Sequence, residues 1–157
     1  MKKITKIFVS LFYIGYFKLS PGSIGSLLSI LILFPFFWLE IFSYKFLIFF
    51  FIFTFILSIY FINLYSNQNS SHDAKEIIID EFAGIYFIFL FYDYIFLINN
   101  YITLILIFIL FRFFDITKIF PANIIDKKIK NSFGVMLDDI IAAIYTILFM
   151  YILNVYL

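Results

Sequence analysis

Apolar residues in this chain do not alternate with polar ones. They gather into five runs, approximately Leu27 to Leu39, Phe46 to Tyr65, Phe82 to Ile98, Tyr101 to Phe111 and Ile140 to Leu157. Runs apolar on every side predict helices buried in lipid or among other helices, and about 20 residues suffice to cross a bilayer core. The second and fifth are long enough alone. The first, with Pro35 inside it, and the fourth reach that length only if flanking polar residues are drawn in. Two polar islands, Ser66 to Glu81 and Arg112 to Asp139, hold nearly all the chemistry, and SNQNSS at Ser66 to Ser71 reads as a loop leading into the next helix. The predicted architecture is all-α: an integral membrane helical bundle of about four to five apolar helices, a single domain over residues 1–157, with a polar site at one face.

Composition strengthens this reading. Hydrophobic residues make up 65% of the 157, mean hydropathy is +1.10, and 26 Phe, 12 Tyr and 1 Trp exceed what a core this small can enclose. A soluble monomer is excluded. A net charge of +1 leaves no electrostatic case for nucleic acid, and the absence of Cys removes disulfides, thiolate metal sites and cysteine nucleophiles. The basic N-terminus has its apolar stretch interrupted by Gly15 and Lys18 and lacks a small-residue cleavage site, so it is expected to be retained. If the N-terminus is cytoplasmic and all five runs cross, ten basic residues fall on the cytoplasmic side and only Lys45 opposite. The same arrangement places eight carboxylates on the face carrying those bases, with Glu40 and Asp93 opposite.

The first island contains HDAKEIIIDEFAG. Asp73, Glu76 and Asp80 stand at i, i+3 and i+7, so on a helix they share a stripe, with Glu81 beside it. Clustered carboxylates repel one another unless a cation offsets them, and Mg2+, which prefers hard oxygen ligands, would serve. A solvated acidic helix end paired with lysine accounts for the same spacing. His72, the single histidine, stands four residues before Glu76 and is either a ligand or simply solvated. In the second island Arg112, Asp115 and Lys118 follow at three-residue steps, a ridge of alternating sign on a helix that Pro121 would end. Asp138 and Asp139 are expected to open the last apolar helix. Carboxylates in a first turn are ordinary dipole-favoured caps, yet ionisable groups entering a membrane segment are costly and usually functional. Near the N-terminus, SPGSIGSLLS sets Gly22, Ser23, Gly25 and Ser26 before an apolar helix, where free N–H groups and hydroxyls cradle phosphate, or where a Pro-Gly turn is followed by a serine cap. Asp93 is not assigned to catalysis.

Taken in order, PGSIGSL, HD–KEIIIDEFAG, FRFFDITK with Pro121, and FGVMLDD resemble the bacterial phosphatidylglycerophosphatase A family from about Ser20 to Ala143, and IDE-x-x-G with GVM-x-DD is specific in combination. The resemblance implies a membrane-bound, magnesium-dependent lipid phosphatase. Its reaction would convert phosphatidylglycerophosphate to phosphatidylglycerol and phosphate, the last step of phosphatidylglycerol synthesis, at the cytoplasmic face of the inner membrane. It carries over to Gly22, Ser23, Gly25, Asp73, Glu76, Asp80, Glu81, Arg112, Asp115, Lys118, Gly134, Asp138 and Asp139. The chain departs from the family's usual Thr at Ser23, Pro at Ile119 and paired glycines at Asn131 and Ser132, the last two tolerable because Asn accepts a left-handed backbone.

Phosphomonoester hydrolysis needs cations to hold a dianion and an activated oxygen to attack phosphorus. The expected site has Asp80, Glu81, Asp138 and Asp139, supported by Asp73 and Glu76, holding one or two Mg2+. Asp115 or Glu81 acts as base, and Arg112, Lys118, Gly22, Ser23 and Gly25 bind substrate. Attack by an aspartate through a phosphoenzyme is the second mechanism. The signatures of haloacid-dehalogenase-type phosphatases, type 2 phosphatidate phosphatases and CDP-alcohol phosphotransferases are missing from the sequence. The rival of a different class is a small membrane channel or assembly subunit whose acidic loops bind a partner.

Overall fold

The computed structural model describes residues 2–69, 74–97 and 99–156, and among these every regular element is helical. In chain order they are α1 (Lys2–Val9), a 3-10 turn at Ile14–Tyr16, α2 (Pro21–Trp38), α3 (Tyr44–Asn69), α4 (Ile79–Phe89), α5 (Tyr92–Ile95), α6 (Asn100–Thr117), α7 (Ala122–Lys128) and α8 (Ser132–Tyr156). Four of them, α2, α3, α6 and α8, are long and apolar enough to cross a membrane. At about 1.5 Å per residue, the 18 residues of α2 and of α6 span about 27 Å.

The two short runs reach that length by recruiting polar ends. Pro21 takes the first position of α2, where its missing N–H costs nothing. The other end of α2 closes with Glu40 left-handed at φ 48°, as the Glu40 and Ile41 N–H groups return to the Phe37 and Phe36 carbonyls. α6 is capped by Asn99, whose side chain accepts from the Tyr101 and Ile102 N–H groups, and ends at Lys118, left-handed at φ 43°. It therefore carries Arg112 and Asp115 within its last turns.

Two expectations are corrected here. The run Phe82 to Ile98 is not one helix: α4 starts earlier, at Ile79, and stops at Phe89, with Asp93 in the separate turn α5. α4 has only 11 residues, but it is apolar on nearly every side and buried against α2, α3 and α8, so its neighbours shield what its length does not cover. Asp138 and Asp139, in turn, do not open α8. Asn131 caps that helix by accepting from the Gly134 N–H at 2.9 Å, which places the two aspartates seventh and eighth, in the second turn. Asn131 is thus a cap rather than a left-handed residue, and dipole capping does not explain the aspartate pair.

The starts of α2, α4 and α8 and the end of α6 share one end of the bundle, where they enclose a cavity of about 720 Å³. Glu40 and Asp93 line a separate cavity of about 350 Å³ with Ser43 and Tyr44.

Helix spacing at the first cavity is set by Gly84. A Cβ there would lie 2.8 Å from the Phe111 ring and 3.1 Å from the Asp139 carbonyl oxygen, so α4 meets α6 and α8 with no room for a side chain, one turn beyond Glu81. Gly84→Val is expected to destabilise the bundle by about 1–3 kcal/mol through overpacking and to pull Glu81 away from Asp139. Thermal unfolding of the detergent-solubilised protein, with activity measured well below its midpoint, checks both effects.

Candidate active site

Three carboxylates from two helices converge at the cavity. Oxygens of Asp80 and Glu81 at the start of α4 and of Asp139 in α8 lie within 4.8 Å of one another. The Glu81 N–H donates to Asp80 Oδ1 at 3.1 Å, turning the neighbouring side chains toward one place. Glu81 is 9% exposed and Asp139 4%, and Glu81 Oε2 and Asp139 Oδ2 are buried without a hydrogen-bond partner among the described residues. Burial pushes the Glu81 carboxyl up to about 8, with Asp139 and Asp115 adding to the rise and Arg112 opposing it. Burial and the adjacent Glu81 likewise hold Asp80 well above the usual carboxylate range. Hard oxygens converging within 4.8 Å, from three carboxylates of which two have an orphaned oxygen, are the donor set that suits a hard divalent cation.

Arg112 flanks this trio. Its Nη1 lies 2.6 Å from Asp115 and 3.7 Å from Glu81, and donates to Ser26 Oγ at 3.5 Å, while its Nε is buried without a partner. Ser26, fully buried, is therefore a prop for Arg112, itself anchored by donating to the Gly22 carbonyl at 2.8 Å. The first turn of α2 faces the cavity through Ser20, Pro21 and Gly22. Gly22 packs so closely that a Cβ would overlap Glu81 Oε1 and come within 3.1 and 3.2 Å of the Arg112 Nη1 and Nη2.

The remaining expected residues are distributed differently. Lys118 is bound between Asp126, 2.6 Å away, and Asp138, 2.9 Å away, and these contacts outweigh burial in raising its pKa. Its ammonium holds two carboxylates instead of lying free for phosphate. Adjacent helical residues diverge by about 100°, so Asp138 turns to Lys118 while Asp139 turns to α4; Asp138 lines the cavity outside the trio. Glu76 lies in a turn before α4, so the expected i, i+3, i+7 stripe does not form and Glu76 is not among the converging carboxylates. Asp73 and His72 fall outside the described residues. Gly25 is buried against Ile78, where a Cβ would stand 3.1 Å away, and is not among the residues lining the cavity. Ser23 sits in the first turn of α2 with its hydroxyl 3.0 Å from that of Ser20. Gly134 lines the cavity, but a Cβ on it would overlap the Ile129 carbonyl oxygen, which accounts for the glycine. Lys75, Asp126 and Lys130 also line the cavity; sequence reasoning passed over them because flanking lysines and acids look like ordinary membrane-surface charge.

A helical membrane bundle with converging carboxylates, an arginine and an open helix N-terminus at one end has the equipment of an integral-membrane phosphohydrolase. Comparison with known proteins narrows the class. Phosphatidylglycerophosphatase A matches residues 7–154, and the phosphatidylglycerophosphatase A of Haemophilus influenzae (strain ATCC 51907 / DSM 11121 / KW20 / Rd) is 31% identical over 134 residues, covering 85% of this chain and 78% of that protein. The chain belongs to the phosphatidylglycerophosphatase A family and is accordingly a phosphatase. No solved structure matches it.

The tight seat of Gly22 yields a direct test. Gly22→Ala adds one methyl group against Glu81 and Arg112 without touching the bundle core, and is expected to lower the hydrolytic rate by about tenfold, or about 1.4 kcal/mol. Rate measurements beside a thermal melt should show the loss of rate with the midpoint nearly unchanged.

Proposed function

We propose that this chain hydrolyses phosphatidylglycerophosphate to phosphatidylglycerol and inorganic phosphate, with Mg2+ held by Asp80, Glu81 and Asp139, at the cytoplasmic face of the inner membrane. The observation that carries the reading is the trio of converging carboxylates, Glu81 and Asp139 buried with one oxygen each without a partner among the described residues, beside Arg112 at the polar end of a membrane bundle. Family membership and the name of the Haemophilus relative support the substrate. Magnesium held there would supply positive charge for phosphate oxygens and acidify a water.

The chain's own groups do the rest. The phosphate lies between Arg112, whose unpaired Nε is a donor still available, and the first turn of α2, where the Gly22 and Ser23 N–H groups have no side-chain cap. Asp115, fixed by Arg112 at 2.6 Å, lies outside the trio and takes the proton of the attacking water. The new bond joins that water oxygen to phosphorus as the bond to the glycerol oxygen breaks. The departing alkoxide takes up a proton from solvent and Asp115 releases to solvent the one it accepted, giving phosphatidylglycerol and inorganic phosphate. Lys118 keeps Asp138 and, through Asp126, α7 drawn to the cavity wall.

Asp80→Asn and Asp139→Asn each remove a charge at nearly constant volume. Both are expected to lower hydrolysis at least about a hundredfold and to abolish binding of Mn2+, followed by electron paramagnetic resonance as a stand-in for magnesium. Full turnover by either variant, or by the unaltered protein in excess chelator, would contradict this site.

The ten-to-one distribution of basic residues supports the orientation. Reporter fusions at Lys128 are expected to read as cytoplasmic and fusions at Lys45 as external; the reverse pattern would turn the active site away from the cytoplasm.

A further inference from the structure

Residues 2–17 carry none of the groups assigned to hydrolysis, yet they are fastened to the segment that delivers two of them. α1 packs along α3 and turns Val9 into a small core with Ile62, Tyr65, Ile77, Ile79, Ala83 and Met136. Ile79 precedes Asp80, Ala83 follows Glu81 by two residues, and Met136 stands three before Asp139. The Val9 carbonyl accepts from the Ile78 N–H at 3.0 Å. Ile78 is the cap position of α4 and offers no side-chain cap of its own, so this bond is a direct tether on the helix that begins with the carboxylates.

The chain then reverses through Leu11, Phe12 and Tyr13 at φ 43°, 58° and 70°. Three consecutive non-glycine residues in the left-handed region are costly, and with Phe12 80% exposed the cost is not offset by burying its side chain. Ser10 holds the reversal: its hydroxyl donates to the Lys6 carbonyl and accepts from the Tyr13 N–H, and its carbonyl accepts from the Gly15 N–H. The turn delivers Gly15, buried, onto the backbone of Glu76, so closely that a Cβ would overlap the Glu76 carbonyl oxygen.

We infer that residues 2–17 form a strap that positions the Asp80–Glu81 pair, with Gly15 as the positioning residue: by fixing the Glu76–Ile78 backbone it sets the rotation and depth at which α4 presents its carboxylates to Asp139. This inference rests on the metal reading of that trio. A Cβ at Gly15 lifts the Glu76–Ile78 segment and misaligns the trio.

The test is Mn2+ binding to the full chain in lipid nanodiscs by electron paramagnetic resonance, with thermal midpoint and the magnesium dependence of hydrolysis measured in parallel. Gly15→Ala is expected to lower the midpoint and, in the protein that remains folded, to weaken Mn2+ binding by about tenfold and to regain most of its maximal rate at high magnesium. Ser10→Ala, which loosens the reversal without adding bulk, should weaken binding about threefold in the same direction. If Gly15→Ala does not accumulate as folded protein, Ser10→Ala decides. Wild-type Mn2+ affinity in the folded variants, alongside normal binding by the unaltered protein, would overturn the strap's role alone; no Mn2+ binding by the unaltered protein would overturn the metal reading and the inference with it.

Discussion

Charge compensation at the polar end of an apolar bundle is the constraint on which the remaining structure depends. Six carboxylates line the cavity, Asp80, Glu81, Asp115, Asp126, Asp138 and Asp139, against four bases, Lys75, Arg112, Lys118 and Lys130. Six negative charges less four positive leave an excess of two. Buried charges need partners, and among the described residues the contacts are unequal: Asp115 lies 2.6 Å from Arg112, Asp126 and Asp138 share Lys118, and of the trio only Glu81 has a basic neighbour, Arg112 at 3.7 Å. A crowd of hard oxygens in a cavity with more acids than bases is costly to ionise unless a cation joins it, so the electrostatic defect of the fold and the chemistry proposed for it are the same feature.

Close backbone contact makes that concentration of charge possible. Gly84 lets α4 approach α8 beside Asp139, and Gly22 lets α2 approach Glu81 and Arg112. Side chains on separate membrane helices then meet within hydrogen-bonding or coordinating distance without long flexible reaches. Arg112 completes the arrangement by touching three elements: Asp115 on its own helix, Ser26 on α2 and Glu81 on α4. Its guanidinium fork suits this bridging where a point charge does not.

Much of this was readable in the residues, and the parts that were not have definite causes. All five apolar runs form helical structure, because an all-round apolar stretch leaves the backbone few alternatives. Helix starts were harder. Asn131 reads as a tolerant substitute for glycine but acts as a cap, and that shift of six residues moves Asp138 and Asp139 from a helix mouth to its interior. Glu76 shows the converse: its spacing from Asp80 suits a helix, yet the helix starts only at Ile79. The glycines of PGSIGSL are ambiguous by nature, since a residue without a side chain serves both ligand approach and helix packing; Gly22 borders the cavity and Gly25 packs on Ile78. Tertiary partners such as Ser26 for Arg112 leave no local signal at all.

The depth of the aspartates in α8 has one more consequence. Asp139 stands eighth in its helix, seven steps or about 10 Å from its first residue, and Arg112 lies five residues inside the end of α6. The site is therefore recessed below the ends of α6 and α8, at the level where α2 and α4 begin. A phosphate tethered to acyl chains can meet them while its tails stay in the leaflet, so no lipid has to be lifted into water. Encounter then becomes a search in two dimensions. The effective concentration of such a substrate is its mole fraction in the bilayer, and dilution with inert lipid slows the reaction where dilution with buffer does not.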